Sequence, residues 1–317
     1  MSGQLGFADH VILGKGSRRK DQLGEIDGLV DWSQVDALLR PLRSKGTGRP
    51  PYPPLMLFKA LLLQRWYTLS DEALEDALHD RLSFRRFVGL GLEEAIPDAS
   101  TLCRFRSDMA GASLGDALFE AVGRSLDAKK LIVRKGTLID ASLMSAAVAE
   151  PRKQPGGGVS SVDPEASWAK KGNQATFGYK LHIAVDQASG LVRAARITDA
   201  RVADCTVGPD LVQGDEGSVY ADMAYDNAVM RGRLEAAGIT NAVMARPNRH
   251  HPLTPEAKLR NAGIGHIRGR VESVFGTLKR SYRRSRLLYI GLAKNRLDLL
   301  LTLLAINLKR ARKISFA

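Results

Sequence analysis

Arg268-Gly269-Arg270-Val271-Glu272-Ser273-Val274-Phe275-Gly276-Thr277-Leu278-Lys279-Arg280 is the stretch from which the rest of the chain can be read. At 3.6 residues per turn, Arg268, Glu272, Phe275 and Lys279 fall along one side of a helix. One carboxylate is thereby set between cations on a single face. Two further acids stand where strands are predicted to end, Asp140 in Gly-Thr-Leu-Ile-Asp-Ala-Ser and Asp222 in Gly-Ser-Val-Tyr-Ala-Asp-Met-Ala-Tyr. Three carboxylates brought together from two strand ends and a helix make a ligand set for divalent metal. The cations around them make a phosphate-binding set. Each acid also has a plainer reading: Asp140 as a cap or turn residue, Asp222 as second to Asp226, and Glu272 as a salt-bridge partner of Arg268.

These three segments resemble the catalytic core of DDE transposases of bacterial insertion sequences, in the branch whose last acid lies in a Tyr-x2-Arg-x3-Glu-x6-Lys helix. Arg268, Glu272 and Lys279 match that spacing, while Gly265 stands in the tyrosine's place with His266 beside it. The resemblance continues upstream through Asp76-Ala-Leu-His-Asp-Arg-Leu-Ser-Phe-Arg-Arg-Phe and Pro97-Asp-Ala-Ser-Thr-Leu-Cys-Arg-Phe-Arg. It also takes in Lys170-Lys-Gly-Asn-Gln-Ala-Thr-Phe-Gly-Tyr-Lys-Leu-His-Ile-Ala-Val-Asp. A second departure is Ala203, which replaces the histidine often found before the aspartate at position 204.

The resemblance implies an α/β ribonuclease H-like catalytic domain preceded by an all-α, helix-turn-helix-like domain. It implies two Mg²⁺ ions, replaceable by Mn²⁺, held by Asp140, Asp222 and Glu272, with Asp140 between them. Arg268 and Lys279 would bind phosphates near the scissile bond, Arg by a bidentate grip and Lys as a point charge. The implied reaction is cleavage at the ends of the element and joining of its 3′ hydroxyls to target DNA. The implied partners are double-stranded DNA, both terminal inverted repeats and target, and a second copy of the chain in the DNA complex. No nucleotide cofactor is needed, because phosphodiester exchange is nearly balanced in energy. A metal-dependent nuclease of the same fold, or a DNA-binding remnant without catalysis, would share most of these features.

Composition points the same way. The formal charge is +13 over 317 residues, and between Arg260 and Lys313 the only acids are Glu272 and Asp298. An enzyme of small neutral substrates has no use for such an excess, whereas a polyanion partner does. Cys103 and Cys205 are too few for a disulfide framework or a cysteine zinc site, and His250 and His251 form no zinc motif. No export signal is visible, and Leu297 to Leu308 is too short and too interrupted to span a bilayer. The expected location is the cytoplasm, in association with the nucleoid.

Three regions follow from the pattern. Residues 1–30 read as a basic arm, 31–130 as a helical domain that binds DNA ends, and 131–317 as the catalytic domain. In the helical domain, Ser70 is placed to cap a helix, Asp98 or Ser100 another, and Arg104 and Arg106 stand on the latter as DNA contacts. In the catalytic domain, strands are expected near Thr137, Lys180, Leu191, Val219 and Asn241, with a mobile insertion at 150–178. Trp168, Lys170 and Lys171 in that insertion either grip a strand end or, for Trp168, anchor the loop. Lys180, Arg280, Arg283 and Arg284 complete the candidate DNA-binding cations. The C-terminal helix with its basic end is expected to pack on the catalytic domain.

Overall fold

The computed structural model describes residues 21–42, 51–148, 162–247 and 252–316, and the backbone alone of Lys171. The basic stretch at the start of the predicted N-terminal arm lies outside the described residues. The chain forms two compact units, one made of Met1–Lys129 with Leu297–Ala317, the other of Lys130–Arg296.

The first unit is helical: α1 (Gln22–Asp27), α2 (Trp32–Leu39), α3 (Pro54–Tyr67), α4 (Asp71–Asp80), α5 (Leu82–Val88), α6 (Ala99–Gly111) and α7 (Gly115–Ala128). Local chemistry sets the helix starts. The Ser70 hydroxyl accepts from the Ala73 amide at 3.1 Å, and Asp98, rather than Ser100, accepts from the Thr101 amide at 2.6 Å. Asp31 caps α2, and Pro54 opens α3, where a missing amide proton costs nothing. Helix α3 is apolar all round and is correspondingly buried all round, with Phe58, Leu61, Leu62 and Leu63 inaccessible.

The last helix, α11 (Leu292–Ser315), corrects an expectation. From Leu297 onward it belongs to the helical unit and not to the catalytic one. The Trp66 indole donates to the Ala305 carbonyl at 2.9 Å, and Lys309 Nζ donates to the Trp66 carbonyl at 3.1 Å. Arg65 Nη2 lies 2.8 Å from Asp298 Oδ1 with both side chains buried. Asp298 therefore interrupts the apolar run because it has a cation to meet inside the core.

The second unit is built on a six-stranded sheet: β1 (Thr137–Ser145), β2 (Ser167–Lys171), β3 (Gln174–Asp186), β4 (Val192–Asp199), β5 (Ser218–Ala221) and β6 (Thr240–Val243). The order is β2-β3-β1-β5-β6, with β4 paired to β3 beyond the end of β2. β1, β2, β3 and β4 pair antiparallel, whereas β5 joins β1 and β6 joins β5 in parallel. Parallel neighbours need crossovers, and α8 (Asp204–Leu211) and α9 (Ala228–Ala236) supply them. The core between these helices and the sheet gathers Ile139, Ala184, Ala194, Leu211, Val219, Ala221, Tyr225, Met230 and Leu234.

Two boundaries differ from the sequence reading. Much of the expected insertion is regular: β2 and the start of β3 form a hairpin in which Trp168 stands opposite Phe177, and residues 149–161 lie outside the description. The helix expected from Arg268 is the second half of α10 (Pro255–Gly276), which Thr254 caps and which ends in a wider π turn at Thr277–Ser281. Where β3 crosses β1, Gly178 cannot be replaced: a Cβ there would stand 2.1 Å from the Met144 carbonyl oxygen. Backbone cannot step aside as a flexible side chain can, so Gly178→Ala is expected to destabilise the catalytic unit by about 2–3 kcal/mol. Thermal unfolding measures this, and an unchanged Tm would contradict the close approach.

Candidate active site

Asp140 and Asp222 are positioned by register. β1 and β5 run parallel, with Leu138 paired to Tyr220, and each aspartate follows its member of that pair by two residues. The two carboxylates therefore occupy matching places on neighbouring chains, beside the carboxyl end of β5, where open α/β sheets bind their ligands. Asp222 Oδ1 accepts from the Ala224 amide at 2.8 Å and caps the short 3₁₀ turn Met223–Tyr225. Its rival Asp226 does not cap the next helix; Asn227 does, and Asp226 pairs with Arg231.

The long helix brings cations to the same strand. Arg268 Nη2 lies 3.3 Å from Asp140 Oδ1, and Lys279 Nζ donates to the Ser142 hydroxyl at 2.6 Å. Asp140 and Ser142 alternate along β1 and share a face, so the Arg268–Lys279 stripe of α10 and its π turn lies along that face. Glu272 is one turn beyond Arg268 on the same stripe and is exposed. It does not close a site with the aspartates: among the described residues no three acid, histidine or cysteine side chains stand close enough to hold a metal ion. Arg268, and not Glu272, faces Asp140 in this arrangement.

Gly265, in the place of the motif tyrosine, packs against Met244, whose methyl carbon lies 3.2 Å from where a Cβ would be. Met244 sulfur in turn sits 3.9 Å from Arg268 Nη1. The space at the start of the motif is thus filled by Met244, which sequence spacing could not show.

Several expected DNA contacts are placed otherwise. Arg106 is turned inward and is paired with Asp71, so it is a core residue of the helical unit; Arg104 is the exposed cation of α6. Arg284 is buried and donates to the Tyr282 carbonyl at 2.9 Å. Lys180 is committed to Asp204 Oδ1 at 2.9 Å and to the Val202 carbonyl at 2.8 Å. Trp168 stacks at a tilt on Phe177 with 5.7 Å between ring centroids, the anchoring alternative. Lys170, Arg280 and Arg283 are exposed, and the Lys171 side chain lies outside the described residues.

A group that the sequence did not single out stands beside Asp204, at the first turn of α8. His182 is fully buried, and its Nδ1 lies 3.9 Å from Asp204 Oδ1. Burial pushes the imidazole down to about 4, with Lys180 adding to this and Asp204 opposing it. Tyr225 is fully buried too, and its proton is held well beyond the ordinary phenol range by burial first, then by Asp204, Asp140 and Asp222. The only sequence signal for this group was the alternation that put Lys180 and His182 on one face of a strand.

Comparison with known proteins completes the picture. The family model described as Transposase DDE domain matches residues 132–308, more than half of the chain, and the one described as Transposase domain (DUF772) matches residues 12–108. Among solved structures, a cryo-EM structure of the piggyBac transposase synaptic complex with hairpin DNA is 13% identical, with a TM-score of 0.48. That match covers 92% of this chain and 72% of the other, and at such similarity it bears no weight for the site. No helix among the described residues is long and apolar enough to cross a membrane. With the family matched over both halves, and with antiparallel strands leading into a parallel β1-β5-β6 sheet, the chain belongs to the DDE transposases of insertion sequences: DNA endonucleases and strand transferases with a ribonuclease H-like catalytic domain behind a helical N-terminal region.

Proposed function

We propose that this transposase cuts beside the 3′ ends of its element and joins the freed hydroxyls to target DNA at one centre formed by Asp140, Asp222 and Glu272. The single observation that carries this reading is the pair Asp140–Asp222 in matching register, overlaid by the Arg268–Lys279 stripe that also bears Glu272. Members of this family use divalent metal ions. The donor types suit such an ion, being carboxylate oxygen throughout, and a guanidinium already lies beside Asp140, but Glu272 stands apart from the two aspartates here and would have to join them. Asp140 and Asp222 would hold Mg²⁺, with Glu272 as the third ligand. Bound there, the metal would make the attacking oxygen nucleophilic and stabilise the leaving one.

The chain's own residues do the rest. Arg268 and Lys279 hold phosphate oxygens next to the reacting bond, exchanging Asp140 and Ser142 for the DNA. Exposed Arg104, Lys170, Arg280 and Arg283 neutralise backbone phosphates further away. Two element ends are joined in one event, which requires two copies of the chain on the DNA. A nucleotide cofactor has no part to play, since each transfer exchanges one phosphodiester for another. This chemistry is carried out on the nucleoid.

The test is a strand-transfer assay with Mg²⁺ on DNA carrying the parent element's end. Joined products are expected from intact ends and from ends supplied pre-cut with a free 3′ hydroxyl. Cleavage without joining, even from pre-cut ends, would make the protein a nuclease. Tight binding with neither product would make it a DNA-binding remnant. Either result sinks the proposal.

A further inference from the structure

Lys279 reaches across to a residue of β1 that the proposed reaction leaves without a part. Ser142 follows Asp140 by two positions, so it lies on the same face of the strand, about 7 Å further along. The surroundings on that face are apolar: Leu138 and Met144 on β1 are inaccessible, as are Ile183 and Leu181, which pair with Asp140 and Ser142 from β3. In such a setting alanine or valine would pack at no polar cost, whereas a hydroxyl has to be stripped of water. Between Leu138 and Met144 the face thus carries a carboxylate and a hydroxyl, and the Arg268–Lys279 stripe meets both.

The Ser142 hydroxyl is only partly used. It accepts from Lys279 Nζ at 2.6 Å, and among the described residues its side chain makes no other hydrogen bond. A hydroxyl has one proton to give, and an ammonium can take none. The pair therefore leaves the serine proton undelivered, next to a cation whose proposed task is to hold a phosphate oxygen. An oxygen of that kind accepts only. Placed against Lys279 at the same spot, it receives an N–H from the lysine and the O–H from the serine together, and the mismatch disappears.

We infer that Ser142 is a substrate-contacting residue of the catalytic centre, whose hydroxyl donates to the phosphate that Lys279 neutralises. The Asp-x-Ser spacing then puts a proposed metal ligand and a phosphate ligand next to each other on one strand face, so that β1 holds the reacting end as well as the helix stripe does. The inference rests on the proposed role of Lys279. A serine that merely props up the lysine would behave differently. Its loss would act through a charged contact, which releases counterions when DNA binds, whereas a neutral contact releases none.

The experiment measures the affinity of the full-length protein for DNA carrying a pre-cut element end, by gel shift without metal, over a series of salt concentrations. Ser142→Thr and Ser142→Val have nearly the same shape, both suit a strand, and they differ in the hydroxyl. Ser142→Thr is expected to bind within about threefold of wild type and Ser142→Val roughly tenfold or more weaker, as for the loss of a hydrogen bond to a charged group. The slope of log K against log salt should be unchanged in Ser142→Val, whereas Lys279→Met should reduce it by about one. Equal affinity of the Thr and Val variants overturns the inference. So does a Ser142→Val slope reduced like that of Lys279→Met, the mark of a serine that only props the lysine. Lys279→Met binding with wild-type affinity and slope would remove the lysine itself from the phosphate, a failure of the proposed centre distinct from failure of Ser142 alone.

Discussion

Asp140→Asn protein should bind the element's end as tightly as wild type and yield no joined product, with the transfer rate lowered by roughly three orders of magnitude or more. The substitution is nearly isosteric, and the amide oxygen can still accept from the Ala141 amide, which lies 2.9 Å from Asp140 Oδ1. The fold should therefore survive. What disappears is a negative charge on the strand that Arg268 now faces at 3.3 Å. Without that charge, the proposed metal site would lose one of its carboxylate ligands, and the stabilisation that a bound ion would give the attacking and leaving oxygens would be lost with it. DNA affinity has no reason to fall, because an acid has been removed from among cations. Gel-shift and strand-transfer assays on one preparation separate the two effects. Product formation within tenfold of wild type would remove Asp140 from the chemistry.

The second large effect concerns stability. Arg65→Met leaves the Asp298 carboxylate, fully inaccessible to solvent, without the guanidinium that now lies 2.8 Å away. Removing one partner of a buried ion pair strands the other in a medium of low polarity, and a loss of about 3–5 kcal/mol is expected. Arg65→Met with Asp298→Leu should recover much of this, because an apolar pair of similar bulk has no charge to desolvate. Urea unfolding of the two single variants and the double variant closes the cycle. A loss below about 1 kcal/mol in Arg65→Met would show that Asp298 has enough other support.

Much of this was legible in the chain. The apolar runs before Asp140 and Asp222 announce the strands; Asp222 does follow the end of β5, but Asp140 lies inside β1, whose pairing with β3 carries it on to Ser145, and the caps at Ser70 and Asp98 act as their residue types predict. What could not be read is pairing over distance. Arg106 and Arg284 looked like surface cations because their partners, Asp71 and the Tyr282 carbonyl, are fixed by packing. Asp298 looked like a flaw in an apolar helix for the same reason. The group of Asp204, His182 and Tyr225 is spread over a strand, a helix start and a turn, with no spacing that would have announced it. The hairpin of β2 and β3 was obscured by the Pro- and Gly-rich residues before it, which pull any pattern reading toward a loop.

The helical unit is discontinuous in sequence, since its core is completed by α11 at the far end of the chain. During synthesis, Trp66 and Arg65 leave the ribosome more than two hundred residues ahead of Ala305 and Asp298. A nascent chain can close its sheet while the α3 surface still waits for its covering helix. Any product truncated before Leu297 exposes that surface for good, with Arg65 and the Trp66 indole unmatched. Premature termination would thus yield a ready substrate for proteolysis rather than a free DNA-binding fragment, and only the full-length chain would compete for the ends of the element.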